Sequence, residues 1–330
     1  KSEDGKKTKF NYDVGFLVYN EKNYPHFTKL LNSLKVKTIS SNMSFSVTNK
    51  SNSFEYGSTG IKALTNNFKN IFCKKYWTML IEIIRFYKVS KKELNLKFLK
   101  NTSVQDFLIK YQFNTVFINE HFLPMCGAIW STPKNRVLSM PIVFVINFFN
   151  NHGLLNYFNR PKWRTIKNGS KFYVKEIEKT IEGKIYRNEK VIKVFRNNKK
   201  VRVVSKNFTK YYDKIIFAIH ADKILSIINK PTKLEINIFS KLKYQTNKIY
   251  VHQDQSLMPS NKNVWSAWNA IVYDPITERS SNENICVTYW LNKLQNLQTK
   301  EPLFVTLNPP KDLLPKKTKI KEVLMLSHPV

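Results

Sequence analysis

The spacing of hydrophobic residues changes along this chain and divides it into three regions. The first is rich in apolar positions three and four residues apart, which predict helices. The second, from about residue 164 to 230, has one helical stretch and then short alternating stretches. The third alternates over longer stretches, which predict antiparallel strands. The predicted helices are His26–Leu34, Ile61–Tyr87, Val104–Tyr111, Thr115–Pro124, Pro141–His152 and Lys171–Ile181, and the predicted strands are Phe10–Asn20, Val36–Thr48, Ile185–Arg187, Val191–Arg196, Lys200–Ser205, Tyr212–Ile219, Asn247–His252, Val264–Tyr273 and Ile285–Leu291.

Local signals fix several ends of these elements. Thr102 or Ser103 is expected to cap the helix that follows, which has Asp106 in its first turn. Asn197-Asn198 is expected to form a hairpin turn, because asparagine tolerates positive φ. No internal repeat is visible, so the chain is not expected to be a solenoid or a propeller.

Composition indicates a globular protein from a reducing compartment. Of 330 residues, 42% are hydrophobic, which excludes wholesale disorder, and 14% are aromatic, which predicts an interior with flat apolar walls. The cysteines, Cys73, Cys126 and Cys286, are few and far apart, which argues against a disulfide framework. We therefore expect a cytoplasmic protein.

The net charge of +32, from 55 basic and 23 acidic residues, has two interpretations. One is an anionic partner, either nucleic acid or a phospholipid surface. The other is a general drift of composition towards lysine, asparagine and isoleucine. The lysines are scattered through every segment, and no nucleic-acid-binding motif accompanies them, so no specific nucleic acid is expected. Peripheral contact with an anionic membrane stays open.

The longest apolar stretch, Val137–Phe149, is too short for a membrane span, which needs about 20 residues. It is interrupted by Ser139, Pro141 and Asn147. We interpret it as a buried helix that begins near Pro141, as a wall of an apolar substrate cavity, or as both.

Seven motifs carry a resemblance to a known family. They are Tyr12-Asp13-Val14-Gly15-Phe16-Leu17-Val18-Tyr19-Asn20, Asn151-His152-Gly153-Leu154-Leu155, Arg160-Pro161-Lys162-Trp163-Arg164-Thr165, Asn168-Gly169-Ser170, Phe217-Ala218-Ile219-His220-Ala221-Asp222, Trp265-Ser266-Ala267-Trp268-Asn269 and Val305-Thr306-Leu307-Asn308-Pro309. In this order they resemble the bacterial flavin-containing amine-oxidase-like proteins, an NAD/FAD-binding oxidoreductase group whose module is also fused to plant cyclopropane fatty-acid synthases. The resemblance covers nearly the whole chain.

The resemblance implies a mixed α/β fold in which a Rossmann-type FAD domain alternates with a substrate domain of helices and an antiparallel sheet. It assigns residues 1–20, 164–230 and 311–330 to the FAD domain, and residues 21–163 and 231–310 to the substrate domain. A Gly-x-Gly-x-x-Gly turn, which lets backbone N–H groups reach the pyrophosphate, is not found in the sequence. We therefore expect an incomplete amine-oxidase-like fold, from a fragment that lacks this turn and the closing segment and holds FAD weakly.

The same resemblance suggests which residues meet the cofactor and the substrate. It places Asp13, Gly15, Phe16 and Leu17 against the flavin ring, although the stretch is equally a plain strand end. Val191 and Ala218 are expected near the dinucleotide, the latter at the end of a strand Lys214–Ile219. The predicted walls of an apolar substrate pocket are Phe144, Phe148, Phe149, Leu154, Leu155, Trp268 and Asn269; ordinary core packing is the alternative for Trp265 and its neighbours.

Lys248 falls where some amine oxidases hold a lysine over the flavin, and a surface lysine is the alternative. Beside it, Asn247 and His252-Gln253-Asp254 resemble a family motif whose other role is to fix a strand end. The implied function is FAD-dependent oxidation or desaturation of an apolar, fatty-acyl substrate. The alternative is a non-enzymatic basic protein that uses a flavoprotein-derived scaffold to bind an anionic membrane or nucleic acid. The histidines lack metal-ligand spacing, and no Gly-x-Ser-x-Gly elbow or P-loop is present.

Overall fold

The computed structural model describes residues 11–50, 53–58, 68–94, 99, 101–156, 159–197, 199–273 and 286–329. The chain forms two compact units. The larger comprises Lys1–Glu178 and Asn247–Met325, and the smaller comprises Lys179–Thr246 and Leu326–Val330. The interleaved FAD and substrate domains expected from the resemblance stay a prediction.

Two sheets organise the larger unit. The strands are β1 (Tyr19–Asn20), β2 (Thr38–Ser40), β3 (Phe45–Asn49), β4 (Phe54–Gly57), β5 (Trp163–Ile166), β9 (Tyr244–His252), β10 (Trp268–Val272), β11 (Cys286–Trp290), β12 (Phe304–Leu307) and β13 (Ile320–Pro329). Between β5 and β9 in sequence come β6 (Val191–Arg196), β7 (Val201–Ser205) and β8 (Thr209–Tyr212), which belong to the smaller unit. The small sheet has the order β1-β5-β2, and the large one β13-β9-β12-β11-β10-β3-β4. Most of the large sheet is antiparallel, but β10 and β3 run parallel.

Helices of the larger unit cover the large sheet and form a second core beside it. They are α1 (Pro25–Ser33), α2 (Phe68–Ile71), α3 (Lys74–Glu93), α4 (Val104–Lys110), α5 (Thr115–Phe117), α6 (Leu123–Trp130), α7 (Lys134–Ser139), α8 (Ile142–Asn151), α9 (Lys171–Thr180), which continues into the smaller unit, and α12 (Leu291–Leu294). Helix α3 joins the two cores. Its Tyr76 and Met79 pack with the sheet, whereas Phe86 and Tyr87 pack with aromatic residues of α4 to α8.

A π-helical turn, Ile118–Phe122, links α5 to α6 and buries two polar side chains. Glu120 lies 2.6 Å from the Lys75 ammonium, and both its oxygens accept from the Asn49 amide. His121 Nδ1 lies 2.6 Å from the Tyr56 hydroxyl. Short π turns are often found at functional sites, and this one places a polar cluster between the two cores.

The smaller unit is a three-stranded sheet with two helices. Its strands are β6 (Val191–Arg196), β7 (Val201–Ser205) and β8 (Thr209–Tyr212), and its helices are α10 (Ala221–Ile227) and α11 (Lys233–Phe239). Val194, Val201 and Val203 form its core. Arg196 pairs with both oxygens of Glu235, at 2.6 and 2.9 Å, and this side-chain hydrogen bond lowers the Glu235 pKa to about 2.

Two predicted strands are wrong. Residues 185–187 and 214–219 are irregular, and β8 ends at Tyr212. The 214–219 stretch carries exposed side chains, such as Ile216 at 92% exposure, and has no neighbouring strand to pair with among the described residues. Of the predicted strand Phe10–Asn20, only Tyr19–Asn20 is a strand among the described residues. The predicted helix Ile61–Tyr87 is divided where it is described, into α2 (Phe68–Ile71) and α3, which starts at Lys74. Residues 10, 61–67, 198 and 274–285 lie outside the described residues.

Within the described part of the chain, no helix has both the length and the apolar character needed to cross a bilayer. The three cysteines are free thiols, with Cys126 and Cys286 buried.

Candidate anion-binding pocket

A carboxylate holds the start of α9 in place. Before the helix, Asn168 and Gly169 adopt positive φ, +70° and +86°, which turns the chain sharply. The Asp13 carboxylate accepts hydrogen bonds from the Ser170 backbone N–H, at 2.8 and 3.1 Å, and from the Ser170 hydroxyl at 3.1 Å. A negative charge at a helix N-terminus is favourable, so Asp13 caps α9 across 157 residues of sequence.

Gln295 fixes Asp13 from the other side. The Asp13 backbone N–H donates to Gln295 Oε1 at 2.9 Å, and Gln295 Nε2 donates to the Asp13 carbonyl at 2.8 Å. The Gln295 side chain is buried. The segment around Asp13 is therefore tied both to the start of α9 and to the loop after α12.

A pocket of about 880 Å³ opens beside this junction. Its walls come from β2, the turn and first two turns of α9, and the loop after α12. The lining residues are Asn11, Ile39, Ile166, Lys167, Asn168, Gly169, Lys171, Phe172, Lys175, Gln295, Asn296, Leu297 and Gln298. Pockets for small ligands measure about 300–1,000 Å³, so this one is large enough for a drug-sized molecule or a folded acyl chain.

The pocket has both cationic and apolar lining. Lys171 and Lys175 are four residues apart on α9 and so share one face of the helix, and Lys167 lines the pocket from the turn before it. Among the described residues that line the pocket there is no Asp or Glu, and the nearby Asp13 is already bound to Ser170. The apolar lining comes from Ile39, Ile166, Phe172 and Leu297. The arrangement suits a ligand with an anionic group and an apolar body.

We expect Asp13→Ala to lower the free energy of unfolding by about 1–2 kcal/mol, because it removes a cap that binds a backbone N–H. Asp13→Asn keeps a hydrogen-bond acceptor but not the negative charge, so it should lower the free energy of unfolding by less than Asp13→Ala does. Urea denaturation measures both. Equal stability of Asp13→Ala and wild type would show that the cap does not hold α9.

The residues predicted to meet the flavin ring follow Asn11, a lining residue of this pocket, closely in sequence. They differ in burial. Leu17 packs in the core of the large sheet, and its carbonyl accepts from the Thr165 hydroxyl at 2.9 Å. Phe16 is 44% exposed and contacts Tyr24 and Phe27 edge-on. A Cβ added at Gly15 would meet no atom within 4 Å, so no described contact of the protein itself requires glycine there. Their contact with a flavin stays a prediction.

Val191 and Ala218 belong to the smaller unit. Val191 begins β6 and packs partly against Val194 and its neighbours. Ala218 is exposed in the irregular stretch before α10, so its expected place at a strand end is wrong. Their contact with the dinucleotide stays a prediction.

Lys248 lies on β9 with its side chain exposed. Its ammonium stands 5.2 Å from the centre of the Tyr250 ring. Its backbone N–H donates to Asn308 Oδ1, and its carbonyl accepts from the Asn308 N–H, both at 2.9 Å. Lys248 does not line the pocket described above. Its catalytic role stays a prediction.

The residues of the Asn…His-x-Asp motif make hydrogen bonds within β9 and at its C-terminal end. Asn247 accepts from the Asn308 amide at 2.7 Å. His252 Nε2 lies 2.7 Å from the Thr306 hydroxyl, and the Asp254 N–H donates to His252 Nδ1 at 3.1 Å. Asp254 accepts from the backbone N–H groups of Ser256 and Lys316. His252 and Asp254 thus hold the end of β9 and the turn after it.

The residues predicted to line an apolar pocket are distributed between core and surface. Phe149 and Leu155 are fully buried, Phe148 and Leu154 are half-buried against the same core, and Phe144 is exposed. Phe148 stacks on His152 at 4.0 Å. None of these residues lines the lysine-rich pocket, and a continuous apolar cavity through them stays a prediction.

Trp268 and Asn269 sit at the start of β10. The Trp268 ring packs edge-on against Tyr289 at 4.7 Å. Asn269 is buried: its Oδ1 accepts from the Ser46 hydroxyl and the Ser266 N–H, and its Nδ2 donates to the Ser266 and Thr288 carbonyls. All four hydrogen-bonding positions of the Asn269 amide are therefore used within the fold.

The local structure explains why glycine is found at position 153, in the motif Asn151-His152-Gly153-Leu154-Leu155. Its φ is +67°, and a Cβ there would lie 2.5 Å from Pro161 Cδ. Any other residue would clash with the start of the next motif, so close packing accounts for this glycine.

Sequence reasoning missed the lysines and Gln295. Lys171 and Lys175 lie four residues apart on the predicted helix Lys171–Ile181 and so share a face, but in a chain with 55 basic residues this spacing is a weak signal. Gln295 gave no signal, since its partner Asp13 is 282 residues away. Among the described residues, no group of three His, Cys, Asp or Glu side chains could hold a metal ion.

Comparison with solved structures identifies the fold. A fatty acid isomerase from P. acnes that produces conjugated linoleic acid superposes with a TM-score of 0.60 over 98% of this chain and 75% of its own, at 10% identity. Wild-type putrescine oxidase bound to putrescine gives 0.59 over 91% of this chain and 68% of its own, at 12% identity. Cyclohexylamine oxidase from Brevibacterium oxydans gives 0.56 over 91% and 68%, at 10% identity.

This chain has an amine-oxidase-like fold. The predicted fold class is thereby confirmed. No protein-family model matches the sequence, and no curated protein matches it. At such low identity the likeness establishes the fold alone, so the activity is argued below from the chain's own residues.

The described residues fit the flavin ring of an FAD better than its pyrophosphate. The exposed Gly15, with open space beside it, and the neighbouring Phe16 could lie against a flat ring. For the pyrophosphate, the glycine turn before α9 offers a helix N-terminus, but Asp13 already takes the Ser170 N–H there. The ring side therefore fits, and this turn does not serve as the phosphate cradle of a dinucleotide site.

Proposed function

We propose that this chain acts in the FAD-dependent oxidation or desaturation of an acyl chain that bears an anionic group. The observation that carries the proposal is the lysine-lined pocket within an amine-oxidase-like fold. Its lysines suit a carboxylate or a phosphate, and its apolar residues suit a hydrocarbon chain.

The pocket favours an amphiphilic substrate over a purely apolar one or a diamine. Three lysines line it without a carboxylate among the described lining residues, so a substrate cation would be repelled. A hydrocarbon without a charged group would gain nothing from these ammonium groups. An acyl chain with an anionic end can contact both the lysines and the apolar residues of the lining.

In this scheme the lysines bind and orient the substrate. Lys171 and Lys175, one turn apart on α9, hold the anionic end, while Phe172 and Leu297 contact the chain. Gln295 holds Asp13 and hence the start of α9, which keeps the lysines in position. Flavin, when bound, supplies the acceptor for the hydride that leaves a carbon of the substrate. The residues that would lie against its ring are Asp13, Gly15 and Phe16.

We expect the double variant Lys171→Met and Lys175→Met to bind a long-chain fatty acid at least about tenfold more weakly, because it loses the charge-assisted hydrogen bonds to the carboxylate. Binding of the corresponding fatty alcohol should change little. Isothermal titration calorimetry measures both ligands. The same double change at Lys29 and Lys241, which are exposed and line no part of the pocket, is the control.

Oxidation is tested separately from binding. With FAD added under anaerobic conditions, a bound acyl substrate should bleach the flavin absorbance, and the double variant should need more substrate for the same effect. Equal fatty-acid affinity in wild type and double variant would contradict the pocket assignment. Tight binding with no flavin reduction by any acyl substrate would leave the pocket standing and contradict the oxidoreductase.

A further inference from the structure

The outer face of α3 carries an apolar stripe with lysines at both ends. Exposed residues recur along this helix at steps of three and four. We call them the α3 stripe, and they are Lys74, Trp77, Ile81, Ile84, Lys88 and Lys91. Trp77 is 50% and Ile81 62% exposed. Steps of three and four keep side chains on one face of a helix, so the stripe is a continuous surface.

The opposite face of α3 already packs in the protein. Tyr76, Met79 and Phe86 are buried there, so the helix does not need the stripe to hold it in place. The Trp77 indole N–H donates to the Ile71 carbonyl at 2.8 Å, which satisfies its polar atom while the ring stays exposed. Phe72, just before α3, is also exposed.

The exposed charged side chains of α3 itself are basic. Glu82, the acidic residue nearest its centre, is mostly buried, binds Arg85 at 3.0 Å and accepts from the Asn114 N–H. Glu93, near the end of the helix, is buried. The exposed surface of the helix is therefore apolar in the middle and cationic at both ends.

We propose that the α3 stripe docks this protein on an anionic phospholipid surface. Tryptophan is enriched at the membrane–water interface, and a helix with an apolar face and flanking lysines binds there by burial and by attraction to anionic head groups. The overall charge of +32 adds to that attraction. A second copy of the chain is a poorer occupant, because it would bring like charges together.

Flotation of the full chain with lipid vesicles tests the proposal. Vesicles of phosphatidylcholine with about one third phosphatidylglycerol should carry the protein, and pure phosphatidylcholine should carry much less. We expect the variant Trp77→Ser with Ile81→Ser to float at least about tenfold less, since two large apolar side chains no longer enter the interface. Lys74→Glu with Lys88→Glu should lose binding mainly at low salt.

Matched controls separate this surface from general charge. Leu234→Ser with Ile236→Ser removes two exposed apolar residues on α11, and Lys199→Glu with Lys241→Glu makes the same change of net charge elsewhere. Both should float nearly as wild type. Equal loss in controls and stripe variants would overturn the proposal, as would no flotation of wild type. A wild-type dimer that Trp77→Ser with Ile81→Ser makes monomeric would assign the stripe to self-association instead.

Discussion

Phe86→Ala is expected to lower the free energy of unfolding by about 3–5 kcal/mol, the usual cost of truncating a buried aromatic residue. Phe86 is 1% exposed. Its ring centre lies between 5.1 and 6.3 Å from those of five other phenylalanines: Phe107, Phe113, Phe117, Phe122 and Phe149. The cavity would open at the centre of the helical core, where five rings cannot all relax inwards.

Urea denaturation of wild type and variants measures this loss. Phe172→Ala removes the same ring from an exposed position in the pocket and should cost little. If Phe86→Ala fails to fold, Phe86→Leu, which leaves a smaller cavity, gives a measurable loss. A cost below about 1 kcal/mol for Phe86→Ala would contradict the central place of this ring.

The importance of Phe86 was not visible in the sequence. Its position fits the three-and-four spacing of the predicted helix, but nothing local shows that α3 reaches two cores. Helices with strong local signals were predicted well. Ser103 caps α4 through the Asp106 N–H, as expected. Helix α8 is one residue shorter than predicted at each end, and α9 is one residue shorter at its C-terminal end.

Strands were predicted less well, because whether a stretch forms a strand depends on a neighbouring strand with which it can pair. Asn247–His252 lies within β9, and Val191–Arg196 is β6, because each alternates and has partners. Ile185–Arg187 and Lys214–Ile219 alternate as well, yet the described structure gives them no partner strand. Alternation predicts a strand only when another strand lies beside it, and that depends on contacts distant in sequence.

The pocket was missed for a related reason. With 55 basic residues, the spacing of Lys167, Lys171 and Lys175 does not stand out in the sequence. Two motifs quoted for the family resemblance, around Asp13 and Asn168-Gly169-Ser170, do meet at its edge. The sequence alone indicated that both motifs are important for the fold or function. Their hydrogen bonds to each other and to Gln295 could be seen only in the structure.

Acid is expected to destabilise this protein through two buried histidines. Burial, with a smaller contribution from the charge of Arg160, lowers the pKa of His121 to about 3. Burial also lowers the pKa of His252 to about 4, against the opposing charge of Asp254. Both side chains are buried and hydrogen-bonded, His121 to Tyr56 and His252 to Thr306, so the neutral imidazole is the form that the fold accommodates.

The sign follows from proton uptake. An unfolded histidine has a pKa of about 6.5, so below that pH the unfolded chain binds protons that the folded chain does not. Stability is therefore complete above about pH 6.5 and is lost as the pH falls towards the folded pKa values. Between about pH 7 and pH 5 each histidine should cost about 2 kcal/mol of unfolding free energy, and the two together about 4 kcal/mol.

The test is the slope of the unfolding free energy against pH, measured by urea denaturation across this range. This slope can be compared between variants even when their stabilities at neutral pH differ. His121→Gln and His252→Gln should each remove about half of the pH dependence, and the double variant most of it. His26→Gln, at an exposed position, is the control. Most carboxylates stay ionised down to about pH 5, so their contribution is small in this range. A wild-type slope that persists in the double variant would show that other groups take up the protons and that these imidazoles are not held neutral by the fold.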